Sequence, residues 1–484
     1  MTTGTLPMSF PLPQTLRHWW PMVLVVAIAL AQQAFSSIDC DVSWLITTAE
    51  RMLGGARLYR DVEEVNPPAS VLLYVPPVAI GRLLGIRPEA LTVAMVSALA
   101  VLSLRHASRI LAPPPAHLPL VAAAAAFILL VLPADLFAQR EHVALIAGLP
   151  MFAVIITRSR AVPVRTIDAA VAGCAAGIMI AIKPHLALAL VLPALWSALR
   201  RRSLDAAKAP EWIAAGVVCA SYLLVVQLGF PDYTARMLPL LRLVYLPGRD
   251  SWSNLLAGPM IVIPGVAAIL TLWLARSRPS NEAVVMLLAA AGFAAAGLMQ
   301  GKGYLNHGYP AVATALFAIT LELSRAGAAR RFGSLCAVLL ALSATYSYAR
   351  VPAPYALRNA VERVGPPRPR LIGISLDFAL GHPLTRWVDG QWVGRRGSLW
   401  VTGNAWQQLE RPTLSEADRR AYKAAERTDA AILAQDIARH RPDVILVDDV
   451  PGPRWIAAHP PLAQAMRGYQ PATRVGQITL WTPR

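Results

Sequence analysis

The chain has 484 residues, of which 56% are hydrophobic and only 15% are charged. It is therefore too apolar for an ordinary soluble globular protein, and its apolar stretches reach the roughly 20 residues that a transmembrane helix needs. The net charge of +17 does not indicate a nucleic-acid-binding protein, because much of the excess arginine falls in short loops between apolar stretches, where the positive-inside rule accounts for it.

Eleven apolar segments predict an α-helical polytopic membrane protein. The predicted spans lie near residues 19–36, 89–106, 117–133, 142–157, 167–182, 185–199, 211–229, 255–275, 282–299, 310–324 and 332–348. Basic clusters follow every second span, at Arg105 and Arg109; Arg158, Arg160 and Arg165; Arg200, Arg201, Arg202 and Lys208; Arg276 and Arg278; Arg325, Arg330 and Arg331. Because such clusters favour the cytoplasm, we expect a bacterial inner-membrane protein with a cytoplasmic N-terminus and a periplasmic C-terminal domain.

The first predicted periplasmic loop, residues 36–89, is ordered. Apolar residues from Trp44 to Met52 have helical spacing, and the glycine pair at Gly54 can close that helix. The apolar run from Val71 to Leu84 is interrupted by two prolines, which favours juxtamembrane helices in the plane of the interface over a further span.

The last 136 residues have a soluble composition. Short β-like runs at 370–376 and 444–447 flank a helical segment near 421–439, which predicts a mixed α/β domain. We therefore divide the chain into a transmembrane body, residues 1–348, and a periplasmic soluble α/β domain, residues 349–484.

Two carboxylates, Asp39 and Asp41, come directly after the first span, where they would lie at the bilayer surface. A carboxylate at this position can accept a proton from an incoming hydroxyl, or it can hold a metal ion or a substrate hydroxyl. The alternative is an acidic pair that only caps the following helix, since aspartate is a common N-cap.

A resemblance favours the first interpretation. The run Asp41…Gly55-x-x-Leu58-Tyr59-x-Asp61…Asn66-Pro67-Pro68 resembles the first external loop of GT-C-type glycosyltransferases, which include the protein O-mannosyltransferases and the lipid A aminoarabinose transferases. The resemblance implies a GT-C-like fold in which an acidic residue after the first helix begins the active site. It implies Asp41 as the catalytic base, with Asp39 as its partner or as a metal or sugar ligand, and Asp61, Glu64 and Asn66 as sugar or acceptor contacts.

A second polar block, Gln139 to His142, stands at the start of the fourth predicted span. Consecutive polar residues are costly against lipid, so we expect them to face a cavity. Arg140 would bind the donor phosphate, and Glu141 or His142 would orient a sugar. The alternative is an interfacial salt bridge that caps the fourth helix.

Cationic residues also gather on the predicted periplasmic side, namely Lys183, His185, Arg242, Arg249, Lys302 and His307. A polyprenyl-phosphate leaving group gains negative charge as its bond to the sugar breaks, and preorganised cations lower that barrier. We predict these six as donor-phosphate ligands, with Tyr304 and Tyr309 of the glycine-rich segment contacting sugar or acceptor. Lysine at an interface can instead merely extend its amine toward water.

The sequence contains no nucleotide-binding glycine motif and no cysteine pair with metal-ligand spacing. We therefore expect no cofactor, although the two aspartates leave a divalent metal open. The expected function is a glycosyltransferase that moves a sugar from a polyprenyl-phosphate donor to a periplasmic glycan, lipid or protein, with membrane lipids as surroundings and no nucleic acid as partner. A flippase for a lipid-linked saccharide and a non-catalytic envelope assembly protein are the alternatives.

Overall fold

The computed structural model describes residues 14–114, 117–202, 208–276, 278–327, 329–349 and 355–484. Within these ranges the residues as far as Tyr348 are mostly helical, and a sheet with flanking helices follows. The helices of the body are α1 (Gln14–Phe35), α2 (Cys40–Leu53), α3 (Pro68–Leu72), α4 (Val75–Leu84), α5 (Pro88–Leu111), α6 (Leu118–Ala126), α7 (Arg140–Ser159), α8 (Thr166–Ile182), α9 (Leu188–Arg201), α10 (Pro210–Gly229), α11 (Leu238–Leu240), α12 (Trp252–Ala257), α13 (Pro259–Ala275), α14 (Asn281–Gln300), α15 (Leu305–Leu323) and α16 (Arg330–Tyr348).

Each predicted span coincides with a helix or with two consecutive helical segments. Among the described residues, five helical stretches are long and apolar enough to cross a membrane by themselves, namely Pro88–Leu111, Arg140–Ser159, Pro210–Gly229, Trp252–Ala275 and Asn281–Gln300. A sixth candidate is the broken pair of α1, from Trp19 onward, and α2, which meet at 67°. The prediction of a polytopic helical membrane protein is confirmed.

The segment between α1 and α5 consists of short helices. Asp39 begins α2, because its side chain accepts a hydrogen bond of 2.8 Å from the backbone N–H of Asp41. The run from Val71 to Leu84, with its two prolines, divides between α3 and α4 and forms no span, as expected. Leu83 at the end of α4 is 83% exposed, which suits a helix that lies on a membrane surface.

Two helices form the centre of the body. Nearly every residue of α7 and of α15 is buried. The start of α7 and the start of α15 lie at the same end of the bundle, where Asn306 Nδ2 donates to Gln139 Oε1 over 3.1 Å. Polar residues at these two helix starts are therefore inside the protein and not in lipid.

The C-terminal domain contains a five-stranded sheet. Its strands are β1 (Arg370–Ile374), β2 (Gln391–Trp392), β3 (Val444–Asp448), β4 (Tyr469–Val475) and β5 (Ile478–Pro483), in the order β2-β1-β3-β5-β4. Strand β1 pairs in parallel with β2 and β3, whereas β5 is antiparallel to β3 and β4. The helices are α17 (Tyr355–Val364), α18 (Leu384–Trp387), α19 (Trp400–Leu409), α20 (Glu416–His440), α21 (Gly452–Ala458) and α22 (Pro460–Ala465). The predicted mixed α/β domain is confirmed.

Two arginines fasten this domain to the helical body. Arg386 donates to both carboxylate oxygens of Glu50 on α2, over 2.9 and 3.0 Å, and also to Glu89 on α5. Arg396 lies between Glu63, at 2.7 Å, and Asp429 of α20. Since α2 and the loop after it carry the predicted site, the domain and the site are mechanically connected.

Replacing Arg396 by leucine would leave Glu63 and Asp429 buried without a counter-charge. Breaking a buried ion pair in this way costs about 3–5 kcal/mol, so the midpoint of thermal unfolding in detergent should fall sharply. Arg358→Ala, which removes the exposed pair with Glu362, should change the midpoint little. Equal midpoints for the two variants would contradict a docking role of Arg396.

His382 connects stability to pH. It is fully buried, with ring centroids 5.1 Å from Trp44 and 4.9 Å from Trp392, and burial, aided by the charge of Arg386, lowers its pKa to about 3. Between an unfolded pKa of about 6.5 and this value, the unfolded chain binds a proton that the folded chain does not. Stability should therefore fall as the pH drops from about 6.5 toward 3.

The pH dependence of thermal unfolding should be shallower in His382→Leu than in the parent over this range. A parental slope in His382→Leu would show that other groups cause the acid sensitivity.

Candidate functional site

A cavity of about 700 Å³ lies between the helical body and the C-terminal domain. One wall is formed by the starts of α2, α7 and α15, together with the loop after α2. The other wall is formed by the turn after β1 and by α19. Seven of the predicted site residues line the cavity, namely Asp41, Glu64, Asn66, Arg140, Lys183, Tyr304 and His307.

Asp41 and Arg140 form the centre of the membrane-side wall. Arg140 Nη2 donates to Asp41 Oδ2 over 2.8 Å, and Arg140 Nη1 is 3.9 Å from Glu64 Oε1. The Asp41 side chain is 32% exposed, whereas that of Glu64 is 4% exposed. Asp41 is thus the carboxylate of this pair that a substrate can reach.

The hydrogen bonds of Glu64 are all made within the protein. Burial raises its pKa, an effect that Arg140 and hydrogen bonds from Asn66 and Trp44 oppose. Trp44 Nε1 donates to Glu64 Oε2 over 2.5 Å, and the backbone N–H of Asn66 donates to Oε1 over 2.9 Å. These bonds occupy the carboxylate, so Glu64 holds the loop in place beside Arg140.

A second polar cluster, formed by Lys183, Glu141 and His307, lies beside Asp41 and Arg140. Lys183 donates to Glu141, and His307 Nε2 is 3.3 Å from Lys183 Nζ and 3.6 Å from Glu141 Oε1. Glu141 is 1% exposed and lies behind the cavity surface. The charge of Lys183 is therefore already balanced, and it reaches the cavity as part of a buried ion pair.

Two polar nitrogens of this wall have no partner in the described protein. Arg140 Nε and His307 Nδ1 are buried and have no hydrogen-bond partner in the described protein. An unsatisfied buried donor is costly, and an oxyanion in the cavity would remove that cost. Both residues line the cavity.

Asp39 supports Asp41 from behind. Besides capping α2, its Oδ1 accepts a bond of 2.6 Å from Gln139 Nε2, and it does not line the cavity. The structure therefore favours Asp41 over Asp39 as the residue that meets substrate.

The other predicted residues lie outside the cavity. His142 uses both ring nitrogens on backbone groups, Ala138 N and Leu129 O, and Tyr309 donates to Ile128 O over 2.8 Å. Both side chains bond to the backbone, and neither lines the cavity, where the predicted sugar contacts would lie. Asp61 accepts from Arg57 N over 2.9 Å, and His185 is half-buried in the short turn before α9.

Arg249 and Lys302 bind backbone carbonyls, and Arg242 lies at the surface. Arg249 donates to Leu298 O and Met299 O, and Lys302 donates to Tyr245 O and Gly248 O, each over 2.5–2.9 Å. These bonds fasten the segment 241–250 to the turn between α14 and α15. Arg242 is exposed. Arg242, Arg249 and Lys302 were predicted as donor-phosphate ligands, but none of them lines the cavity.

Sequence reasoning missed the wall that the C-terminal domain supplies. Its polar members are Asp377, Ser398, Trp400, Asn404 and Gln407. Residues 400, 404 and 407 share one face of α19, a helical spacing that was visible in the sequence. They carry no charge, and nothing in the sequence indicated which face of α19 would meet the body.

Gly248 is a point of close approach between the segment 241–250 and α19. A Cβ at this position would lie 2.9 Å from Asn404 Oδ1 and 2.9 Å from Gln407 Oε1. A side chain there would displace these amides, so glycine allows α19 to lie directly against the 241–250 segment.

Within the described residues, no group of three or more His, Cys, Asp or Glu side chains could hold a metal ion. No protein-family model and no curated protein matches the sequence.

The fold resembles a solved structure over its whole length. The crystal structure of ArnT from Cupriavidus metallidurans in the apo state superposes with a TM-score of 0.56, covering 97% of this chain and 98% of that one at 15% sequence identity. ArnT is a lipid A aminoarabinose transferase of the GT-C family. At this identity the likeness establishes the fold, and the predicted GT-C-like architecture is confirmed.

The pairing of Lys183 with Glu141 can be tested by a double-mutant cycle. Lys183→Met should lower the stability by about 3–5 kcal/mol, because it removes the lysine that pairs with the buried Glu141 carboxylate. Adding Glu141→Gln should restore much of the loss, measured as the thermal midpoint in nanodiscs. Additive effects of the two substitutions would show that they are not partners.

Proposed function

We propose that this protein is a glycosyltransferase that moves a sugar from a polyprenyl-phosphate donor to a glycan, lipid or protein acceptor at the periplasmic face of the bacterial inner membrane. The observation that carries the proposal is the accessible carboxylate of Asp41, held at 2.8 Å by Arg140 inside a cavity at the end of the membrane helices. The GT-C-like fold supports it.

The charge distribution along α7 supports a periplasmic site. Arg140 begins this 20-residue helix, and Arg158 lies near its other end. Twenty residues of α-helix span about 30 Å, the thickness of the hydrocarbon core. Arg158 pairs with Glu211, and Arg160 pairs with Glu282, so the predicted cytoplasmic arginines and the cavity lie at opposite ends of the bundle.

The proposed chemistry assigns one role to each group. Asp41 accepts the proton of the acceptor hydroxyl as its oxygen attacks the anomeric carbon, and Arg140 orients that carboxylate through its bond of 2.8 Å. The leaving phosphate gains charge as the glycosidic C–O bond breaks, and the free N–H groups of Arg140 and His307 stabilise it. Direct attack would invert the anomeric centre. Asp39 acts through Asp41 by capping α2.

The decisive experiment is transfer of labelled sugar from a panel of polyprenyl-phosphate donors by the purified protein in nanodiscs. Asp41→Asn should retain donor binding and lose transfer by about 10²–10⁴-fold, the contribution typical of a general base. Glu64→Gln is the matched control, because it removes a neighbouring carboxylate that is already satisfied, and its loss should be smaller. Equal donor binding without transfer by parent and variant would contradict the proposal and favour a flippase or an assembly protein.

A further inference from the structure

The two walls of the cavity differ in chemistry. The membrane-side wall presents Arg140, Lys183 and His307, whereas the wall formed by the C-terminal domain contains no lysine, arginine or histidine among its described lining residues. The ionisable group of the domain wall is Asp377, whose Oδ1 already accepts from the backbone N–H of Ala379 over 2.9 Å. A phosphate group therefore has counter-charges on the first wall and would meet a carboxylate on the second.

The domain wall offers neutral hydrogen-bonding groups that are not satisfied. Ser398 Oγ and Trp400 Nε1 are both buried and have no partner in the described protein. Ser398 is only 6% exposed, and both residues line the cavity. Leaving such groups unpaired costs free energy, and a ligand that both donates and accepts hydrogen bonds would recover it.

The amides of α19 extend this surface. Trp400, Asn404 and Gln407 follow one another along the face of α19 toward the cavity. Asn404 Nδ2 is used on Trp400 O at 2.8 Å, which leaves its carbonyl oxygen as an acceptor. A hydroxyl, an indole N–H and amide carbonyls beside an aromatic ring form a set that suits sugar hydroxyls, which are uncharged and can both donate and accept.

The Trp400 ring is held in a fixed position. Arg396 lies 5.7 Å from the ring centroid, and Tyr245 meets the ring edge-on at 6.2 Å. Arg396 is itself locked between Glu63 and Asp429. The Trp400 side chain is therefore preorganised, which lowers the entropic cost of binding.

We propose that Ser398, Trp400 and the cavity face of α19 form the acceptor subsite, and that it takes an uncharged, hydroxyl-bearing saccharide. This inference rests on the proposed function, to which it adds the class of acceptor and the place where it binds. The donor phosphate occupies the opposite wall, so the acceptor hydroxyl approaches Asp41 from the side of the C-terminal domain.

Photolabelling tests the subsite without requiring turnover. The full-length protein in nanodiscs is labelled with an octyl glucoside that carries a diazirine, and separately with octyl phosphate and a serine-containing peptide that carry the same group. We expect the glucoside to label peptides within residues 398–407 and the phosphate to label peptides that contain Arg140 or His307, as read by mass spectrometry.

Substitutions then assign the contacts. Ser398→Ala removes a hydroxyl with little change in volume, and Trp400→Phe removes the indole N–H but keeps an aromatic ring. Each should reduce glucoside labelling about three- to tenfold, as expected for one lost hydrogen bond. Trp406→Phe is the matched control. Its indole donates to Glu426 within the domain, over 2.9 Å, and it does not line the cavity, so labelling should stay at the parental level.

Three outcomes would overturn the inference. They are unchanged glucoside labelling in both variants, stronger labelling of 398–407 by octyl phosphate, and labelling of this segment by the peptide but not by the glucoside. Failure of the proposed function appears elsewhere, as the absence of sugar transfer from every polyprenyl-phosphate donor, whatever the labelling pattern.

Discussion

Arg140 is the charge on which the arrangement of this protein depends. It begins α7, is 4% exposed, and lies among residues that are almost wholly buried. A guanidinium in such surroundings is tolerated only when carboxylates surround it, and here they come from α2, as Asp41, and from the loop after it, as Glu64. The position of α7 in the membrane body and the course of the 40–66 segment are therefore set by the same charge.

The segment 40–89 is held from two sides. Arg140 of the body contacts Asp41 and Glu64, whereas Arg386 and Arg396 of the C-terminal domain contact Glu50 and Glu63. The carboxylates of this segment are thus divided between the two partners. Because both partners are needed to neutralise it, the cavity is a product of domain docking, and neither part contains the whole site.

The membrane body was predictable because lipid imposes a strict rule on sequence. Spans must be apolar and helical, so their positions followed from hydropathy, and the carboxylates after α1 stood out against that background. The short juxtamembrane helices α3 and α4 were also foreseeable, since the prolines between Val71 and Leu84 interrupt an otherwise apolar run.

The rest of the site depended on where each side chain points and which helix face meets the body, and a sequence does not show either. Lys302 and Lys183 look alike in the chain, yet one binds the carbonyl oxygens of Tyr245 and Gly248 and the other pairs with Glu141. Strand β4 was missed because most of its residues are exposed and it contains a proline. The cavity face of α19 carries no charge, so only the docked structure reveals that it lines the site.

Gly248 sets the distance between the 241–250 segment and α19. With only hydrogen on its α-carbon, the 241–250 segment comes within contact distance of the amides of α19. Glycine adds no side chain to this contact. Any larger residue would push the 241–250 segment and α19 apart. A graded series from alanine to leucine would move α19 away from this segment in small steps, which would change the size of the proposed acceptor subsite while the groups proposed to bind the donor stay in place.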